Sequence, residues 1–183
     1  MEYTRREAQS AGKRRGRLKA ARAADIPTLK LRVVAMGQRM PDWASKACDE
    51  YVERLPREFP FELTELKPEA RDRGKPAAQL LAAEAPRLRA ACRGHALVAL
   101  DEHGEAWTTR VFANRIERWR DASTDIAFVI GSADGLDAQL KTEAVAQFAL
   151  SALTLPHALA RVVLIEQIYR AVSLLAGHPY HRD

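Results

Sequence analysis

Two short runs of apolar residues without a polar interruption constrain the fold of this chain most. Residues 96–100 read Ala-Leu-Val-Ala-Leu, and Ile126–Ile130 reads Ile-Ala-Phe-Val-Ile. Such unbroken runs are typical of central strands in a sheet that is covered on both faces. Residues 109–120, between them, place Phe112, Ile116 and Trp119 at helical spacing. Strand, helix and strand in this order predict parallel pairing in an α/β domain.

The remainder of the chain after Pro27 continues this alternation of strands and helices. Residues 30–36 predict a strand, and Pro41 stands where an amphipathic helix to residue 55 would begin. Phe61–Leu66 alternates apolar and polar residues like a partly exposed strand, and residues 77–92 predict a helix rich in Ala and Leu. No internal repeat interrupts the pattern. We therefore expect one domain over residues 29–183.

The last predicted helix, residues 158–175, is apolar around too much of its circumference for a helix with one solvent face. Two explanations fit this pattern. The helix is either central in the monomer or buried between two subunits, and the sequence leaves both open.

The positive charge of the chain is concentrated at its beginning. The formal net charge is +5, and residues 1–28 hold eight of the 29 Lys and Arg residues but three of the 24 Asp and Glu residues. We interpret residues 1–28 as a basic, disordered extension, and residues 29–183 are formally neutral. No apolar run approaches the roughly 20 residues of a membrane span, and no secretory signal is evident. We therefore expect a cytoplasmic protein without a membrane partner.

Turn residues stand where the apolar segments of the last third end. Gly131-Ser-Ala-Asp-Gly135 follows one predicted strand, and Leu150-Ser-Ala-Leu-Thr-Leu-Pro-His157 leads into the last helix. In an open α/β sheet, ligands bind outside the carboxyl ends of the strands. Gly131 and the turn from Thr154 to His157 therefore predict one cleft, which we interpret as the active site.

These motifs, taken in order, resemble the RlmH family of the SPOUT methyltransferase class. The resemblance runs from about Leu29 to the C-terminus and implies a Rossmann-like parallel-sheet α/β fold with a C-terminal trefoil knot. It implies a homodimer that uses S-adenosylmethionine to methylate N3 of a pseudouridine in large-subunit (23S) ribosomal RNA within the ribosome. The motifs that carry it are residues 29–37, Met40-Pro-Asp-Trp43, residues 97–101, residues 131–136, residues 150–157 and His178-Pro-Tyr-His-Arg182.

The resemblance also implies which residues bind the methyl donor. A donor of this kind needs an apolar slot for adenine and backbone groups for the edge of the base. Gly131 permits a close approach of the backbone. The cofactor-binding positions carried over from the family are Leu100, Gly131, Leu150, Ser151, Ala152, Leu153, Thr154 and Leu155.

Methylation of an imide nitrogen requires removal of its proton, and histidine accepts a proton near neutral pH. His157, His178 and His181 are candidates, and the residues alone do not choose among them. By resemblance, the tail completes a composite site across the dimer. This implies that His157, Tyr180 and His181 act on the substrate side. Arg161, one helical turn beyond His157, and Arg182 are candidates to hold phosphate or to stabilise negative charge on the base. We expect no metal, because zinc requires three or four ligands and only His157 is expected within reach of the histidines of the tail.

The turn after Ile126–Ile130 departs from the family pattern. Family members typically carry Gly-Gly-Pro-Glu-Gly where this chain has Gly131-Ser-Ala-Asp-Gly135. The outer glycines and the carboxylate are kept, but the stiff proline is lost and Ser132 must adopt a conformation open to a non-glycine residue. The departure predicts a more mobile loop and an altered affinity for the cofactor.

Two other functions compete with this interpretation. A non-catalytic ribosome-binding module would use the basic extension and bind no S-adenosylmethionine. A nucleotide-dependent oxidoreductase would suit the alternating pattern, but no Gly-x-Gly-x-x-Gly follows an early strand, so the usual pyrophosphate cradle is missing.

Overall fold

The computed structural model describes residues 27–37, 39–71 and 74–178, which form a five-stranded parallel sheet with helices on both faces. The strand order is β2-β1-β4-β3-β5. The predicted extension, residues 1–28, lies outside the described residues apart from its last two, so it stays a prediction. The elements are β1 (Leu31–Met36), α1 (Asp42–Val52), β2 (Phe61–Leu66), α2 (Ala77–Ala91), β3 (Ala96–Ala106), α3 (Thr109–Asp121), β4 (Ile126–Ile130), α4 (Ala138–Glu143), β5 (Ala146–Ala149) and α5 (His157–Leu175).

The two apolar runs form neighbouring strands of this sheet, as predicted. Every residue of β4 is buried, and β4 pairs in parallel with β1 on one side and β3 on the other. β2 lies at an edge and is partly exposed, as its sequence predicts, with Glu62 and Glu65 exposed and its other residues partly buried. The α/β fold with a parallel sheet is thus confirmed, whereas the trefoil knot stays a prediction.

β3 is longer than the predicted strand over residues 96–100. Its pairing with β5 shifts register between Leu100 and Glu105, so the residues between them leave the regular ladder before pairing resumes at Glu105 and Ala106. Gly104 makes this possible, because a Cβ there would lie 2.7 Å from the backbone nitrogen of Phe148. The departure from the ladder starts directly after Leu100, at the edge where the predicted cleft lies.

Two apolar clusters cover the two faces of the sheet. One joins α1, α3 and α5 to alternate residues of the strands, such as Val33 and Phe128. The other joins α2 and α4 to the intervening residues, such as Val34 and Val129. Three layers therefore bury the sheet, which explains why β4 and residues 96–100 of β3 carry no polar residue on either face.

α5 packs between α1 and α3 on one face of the sheet. Leu164, Ile165, Ile168 and Val172 are fully buried within the single chain. The inner side of α5 is therefore central in the monomer, whereas Leu159, Val162 and Val163 on the rest of its circumference stay exposed or partly exposed. Burial between two subunits stays a prediction. No helix among the described residues is long and apolar enough to cross a membrane.

Candidate active site

A cavity of about 560 Å³ opens at the carboxyl edge of β3, β4 and β5. Three segments enclose it: residues 100–103 from β3, the turn after β4, and the loop between β5 and α5. Seven of the eight predicted cofactor-binding residues line this one cavity. They are Leu100, Gly131, Leu150, Ser151, Leu153, Thr154 and Leu155. Ala152 is exposed in the same loop and does not line the cavity.

Two glycines, Gly131 and Gly135, allow the chain to form a tight turn after β4. A Cβ on Gly131 would overlap the carbonyl oxygen of Gly135, so only glycine fits there. The backbone N–H of Gly135 donates to the carbonyl of Ser132 at 2.9 Å, and Gly135 itself has a φ of 91°. Ser132 does not have a positive φ, so a serine is accommodated without strain. Gly131 therefore serves the turn itself, in addition to bordering the cavity.

The loop between β5 and α5 is not part of the sheet. β5 ends at Ala149, and the chain from Leu150 to Pro156 runs irregularly to the first turn of α5. The backbone N–H of Leu153 donates to Ser151 Oγ at 2.9 Å, and Leu153 is 76% exposed. This apolar segment is therefore a loop that presents both apolar side chains and backbone groups to the cavity, rather than a buried strand.

The charged side chains that line this cavity are mostly acidic. Asp101, Glu102 and Asp134 contribute carboxylates, and Lys141 contributes the one ammonium group among the described lining residues. We call this cavity the acidic pocket. Lys141 Nζ lies 3.0 Å from Asp101 Oδ2, so one positive charge is already paired within the site.

Asp101 is a residue that the sequence reasoning did not select. Burial raises the pKa of its carboxyl, but the backbone N–H of His103 at 2.9 Å and the Lys141 ammonium both hydrogen-bond to it, so its pKa lies below the usual value. The carboxylate is therefore ionised at neutral pH. Its signal in the sequence was its place as the first polar residue after the apolar run of β3.

His157 is the first residue of α5, after Pro156 at the N-cap. Its ring is half-buried, and Nδ1 has no hydrogen-bond partner among the described residues. Burial, and then the positive charges of Arg161 and Arg71, lower the pKa of His157. The imidazole is therefore neutral near pH 7, with one nitrogen able to accept a proton.

A second cavity, of about 290 Å³, lies on the other side of His157. Arg39, Arg71 and Arg161 line it, with no carboxylate among its described lining residues, so we call it the basic pocket. His157, Ser132 and Ala133 border both pockets. The histidine therefore stands at the junction of an acidic cavity and a basic one.

Arg161, one turn beyond His157, is almost completely buried. Its Nη1 donates to Glu65 Oε1 at 2.5 Å, which ties α5 to the end of β2. Its guanidinium also occupies the space that a Cβ on Gly37 would need, so glycine after β1 leaves room for it. A charge-assisted pair of this kind is geometrically specific, and it holds the arginine beside the histidine.

His178 is the residue of the predicted His178–Arg182 tail that the structure describes. His178 is exposed, and its backbone N–H donates to Ser173 at 3.0 Å just after α5. Tyr180, His181 and Arg182 lie outside the described residues, so their predicted roles stay predictions. Within residues 27–37, 39–71 and 74–178, no three His, Cys, Asp or Glu side chains are grouped as metal ligands would be.

Most of the chain is similar to known proteins. A family model described as "Predicted SPOUT methyltransferase" matches residues 29–181, a range that includes every strand and helix given above. The chain is 52% identical over 155 residues to the Ribosomal RNA large subunit methyltransferase H of Bordetella petrii, covering 84% of this chain and 99% of that protein. It is 52% identical over 158 residues to the protein of the same name from Nitrosospira multiformis, with coverages of 84% and 99%. The protein of that name from Verminephrobacter eiseniae is 53% identical over 156 residues, with coverages of 85% and 100%.

Proposed function

The chain belongs to the SPOUT methyltransferase family, and from that premise we propose that it transfers a methyl group from S-adenosylmethionine to large-subunit ribosomal RNA, at N3 of a pseudouridine. The curated relatives at about half identity bear the name of a large-subunit ribosomal RNA methyltransferase. A ribosomal substrate places the reaction in the cytoplasm. The observation that carries the proposal is the position of His157 beside the acidic pocket, whose lining includes seven of the eight family cofactor positions.

The acidic pocket fits the donor in size and in charge. Its volume of about 560 Å³ is in the range of small-molecule sites. S-adenosylmethionine carries a positive sulfonium, which the carboxylates of Asp101, Glu102 and Asp134 attract. Leu150 and Leu155 offer apolar surface to an adenine ring, and the irregular backbone between them offers donors and acceptors to its edge. When bound there, the donor supplies an electrophilic methyl group.

His157 accepts the imide proton in this proposal. The N3 proton passes to the neutral imidazole, the electron pair left on N3 forms the new N–C bond, and the pair of the broken S–C bond stays on the donor sulfur. The lowered pKa of His157 keeps the ring unprotonated before the reaction. Arg161 lies one helical turn beyond His157 and is held in place by Glu65. Its guanidinium stabilises the negative charge that develops on the base. The imidazolium then returns its proton to solvent.

We further propose that two copies of the chain act together, with Tyr180 and His181 completing the substrate side of the site. This rests on the family resemblance of the His178-Pro-Tyr-His181 tail. Tyr180 would stack on or orient the base, as aromatic residues commonly do with unpaired RNA bases. The tail follows the C-terminal end of α5, whereas His157 and Arg161 lie at the N-terminal end of the same helix.

The non-catalytic alternative depends on loss of cofactor binding through the altered turn. The closed turn from Gly131 to Gly135, with Ser132 at an ordinary φ, supports a retained binding loop instead. The names of the relatives also favour an enzyme.

The test is transfer of labelled methyl from S-adenosylmethionine to purified ribosomes from cells that lack the corresponding activity. Mass mapping of the modified nucleoside identifies the position. We expect one methylated pseudouridine in the large-subunit RNA. No transfer by a folded protein to a demonstrated unmodified substrate would overturn the proposal and favour the binding module.

A further inference from the structure

We infer that the basic pocket receives the target base itself, turned out of the RNA stack, while the donor occupies the acidic pocket. This inference rests on the proposed function, and it assigns the second cavity, whose lining includes none of the eight cofactor positions carried over from the family. The basic pocket measures about 290 Å³ and lies between the end of β1 and the first turn of α5.

The two pockets meet at His157, the residue that removes the proton from the base in the proposed reaction. Ser132, Ala133 and His157 line both cavities, so these residues form the boundary that a donor in one pocket and a base in the other would share. A transfer reaction requires this arrangement, because the nucleophile, the methyl carbon and the leaving sulfur must align. A base still stacked in a duplex does not enter such a cavity, so the target must be turned outwards.

The difference in charge decides which reactant enters which pocket. Arg39, Arg71 and Arg161 line the basic pocket, whereas the carboxylate partners of the last two, Asp134 and Glu65, are not among its lining residues. These ion pairs reduce the positive charge of the surface, but the guanidinium groups that face the cavity still disfavour a sulfonium and favour a base that loses its imide proton. The cationic donor therefore suits the acidic pocket, and the electron-rich acceptor suits the basic one.

The remaining walls of the basic pocket suit the face of a flat ring. Met36, Met40, Pro41 and Pro68 line it. Thioether and proline side chains offer adaptable apolar contact without competing hydrogen bonds. The pocket thus combines apolar walls for a ring with arginines for negative charge, which is the chemistry of a pyrimidine base becoming an anion.

A pair of matched substitutions separates the two pockets. Ala158 lines the basic pocket alone, and Ala160 lines the acidic pocket alone, both in the first turn of α5. Leucine is a good helix former, so Ala158→Leu and Ala160→Leu fill one cavity each with little cost to the helix. Ala83→Leu, at an exposed position of α2 on the other face of the sheet, is the control for the substitution itself.

We expect Ala158→Leu to keep its affinity for S-adenosylmethionine, measured by calorimetry, within about twofold while methyl transfer to ribosomes falls by about 100-fold. Ala160→Leu should lose donor affinity, and Ala83→Leu should behave like the unaltered protein. Transfer by Ala158→Leu at the unaltered rate would overturn the inference. Loss of donor affinity in Ala158→Leu equal to that in Ala160→Leu would also overturn it, because the basic pocket would then hold part of the donor.

A binding measurement keeps the inference testable if the unaltered protein transfers no methyl group, which would be the failure of the proposed function. Two RNA oligonucleotides are compared by fluorescence anisotropy with S-adenosylhomocysteine present, one with pseudouridine and one abasic at the same position. We expect the unaltered protein to prefer the pseudouridine oligonucleotide by about tenfold, since a bound base contributes on that scale. Ala158→Leu should bind both equally. A preference that Ala158→Leu retains would contradict the inference.

Discussion

Arg71 Nη2 lies 2.7 Å from Asp134 Oδ2, which joins the segment after β2 to the turn after β4. The two residues are 63 positions apart in the chain. Arg71 lines the basic pocket and Asp134 lines the acidic pocket, so the ion pair crosses between the cavities beside His157. The turn that replaces the family's Gly-Gly-Pro-Glu-Gly is therefore held by a tertiary contact as well as by its own glycines.

Replacing Arg71 with Met removes this ion pair and leaves the Asp134 carboxylate in place. Both side chains are partly exposed, so the free energy of unfolding should fall by less than about 1 kcal/mol. We expect affinity for S-adenosylmethionine to fall severalfold, because the turn loses its anchor, and to fall further in Asp134→Asn, which also removes a carboxylate from the pocket. Calorimetry measures the affinity. Unchanged affinity in both variants would show that the pair does not position the turn.

His157→Ala should lower the rate of methyl transfer by about 100- to 10,000-fold, the usual contribution of a positioned general base. Donor affinity should stay nearly the same, since the acidic pocket keeps its other walls. Tyr180→Phe should also slow transfer without weakening the donor. Single-turnover transfer and calorimetry together make the distinction, and an equal loss of donor affinity in both variants would count against their substrate-side roles.

The transfer rate should rise with pH and level off before neutrality. His157 accepts a proton only when neutral, and burial followed by the charges of Arg161 and Arg71 lowers its pKa from the ordinary 6.5. The rise therefore lies below pH 6.5, and Arg71→Met should move its midpoint to higher pH by removing one of those charges. A single-turnover pH profile without an inflection below pH 6.5 would argue that another group takes the proton.

Arg161→Met should cost about 1–3 kcal/mol of unfolding free energy, because it removes a buried charge-assisted hydrogen bond and leaves Glu65 to be rehydrated. Methyl transfer should fall together with stability. Arg54→Met, which breaks an exposed ion pair with Glu50 on α1, is the matched control and should cost less than about 1 kcal/mol. Urea unfolding compares them, and equal costs would mean that the Arg161 pair is no more than a surface contact.

Gly131→Ala should destabilise the turn by about 1–3 kcal/mol, since the new Cβ overlaps the Gly135 carbonyl and the backbone must move. Donor affinity should fall with it. Ser132→Gly, which restores the residue usual in the family, should bring no gain in affinity because Ser132 already has an ordinary φ. A marked gain in affinity on Ser132→Gly would instead show that the serine restrains the loop.

The strands could be predicted because their signals are local. Phe61–Leu66 and Ile126–Ile130 have the predicted bounds, since alternation and unbroken apolar character reflect how many faces of a strand are covered. The extension of β3 to Ala106 could not be predicted. It depends on β5 lying against Gly104, a contact with a strand about 40 residues further along the chain that no local pattern contains.

The cleft at the strand ends could be predicted because turns after apolar segments are visible in one dimension. The cofactor positions themselves follow from the family resemblance and stay predictions. The partners of the site could not be predicted. Asp101 with Lys141, Arg71 with Asp134, and Arg161 with Glu65 each join distant segments. Charged residues of this kind look like ordinary surface residues until the fold brings them together.

By itself, the sequence determined the class of fold and the bounds of β2 and β4, because apolar periodicity depends on near neighbours. The order of its motifs along the chain indicated the family. Only the tertiary structure decided that His157 stands between an acidic and a basic cavity. The order β2-β1-β4-β3-β5 places the ends of β1 and β2 on one side of this histidine and those of β3 and β5 on the other. Strand order follows from which apolar faces pack together, and that choice depends on the whole chain.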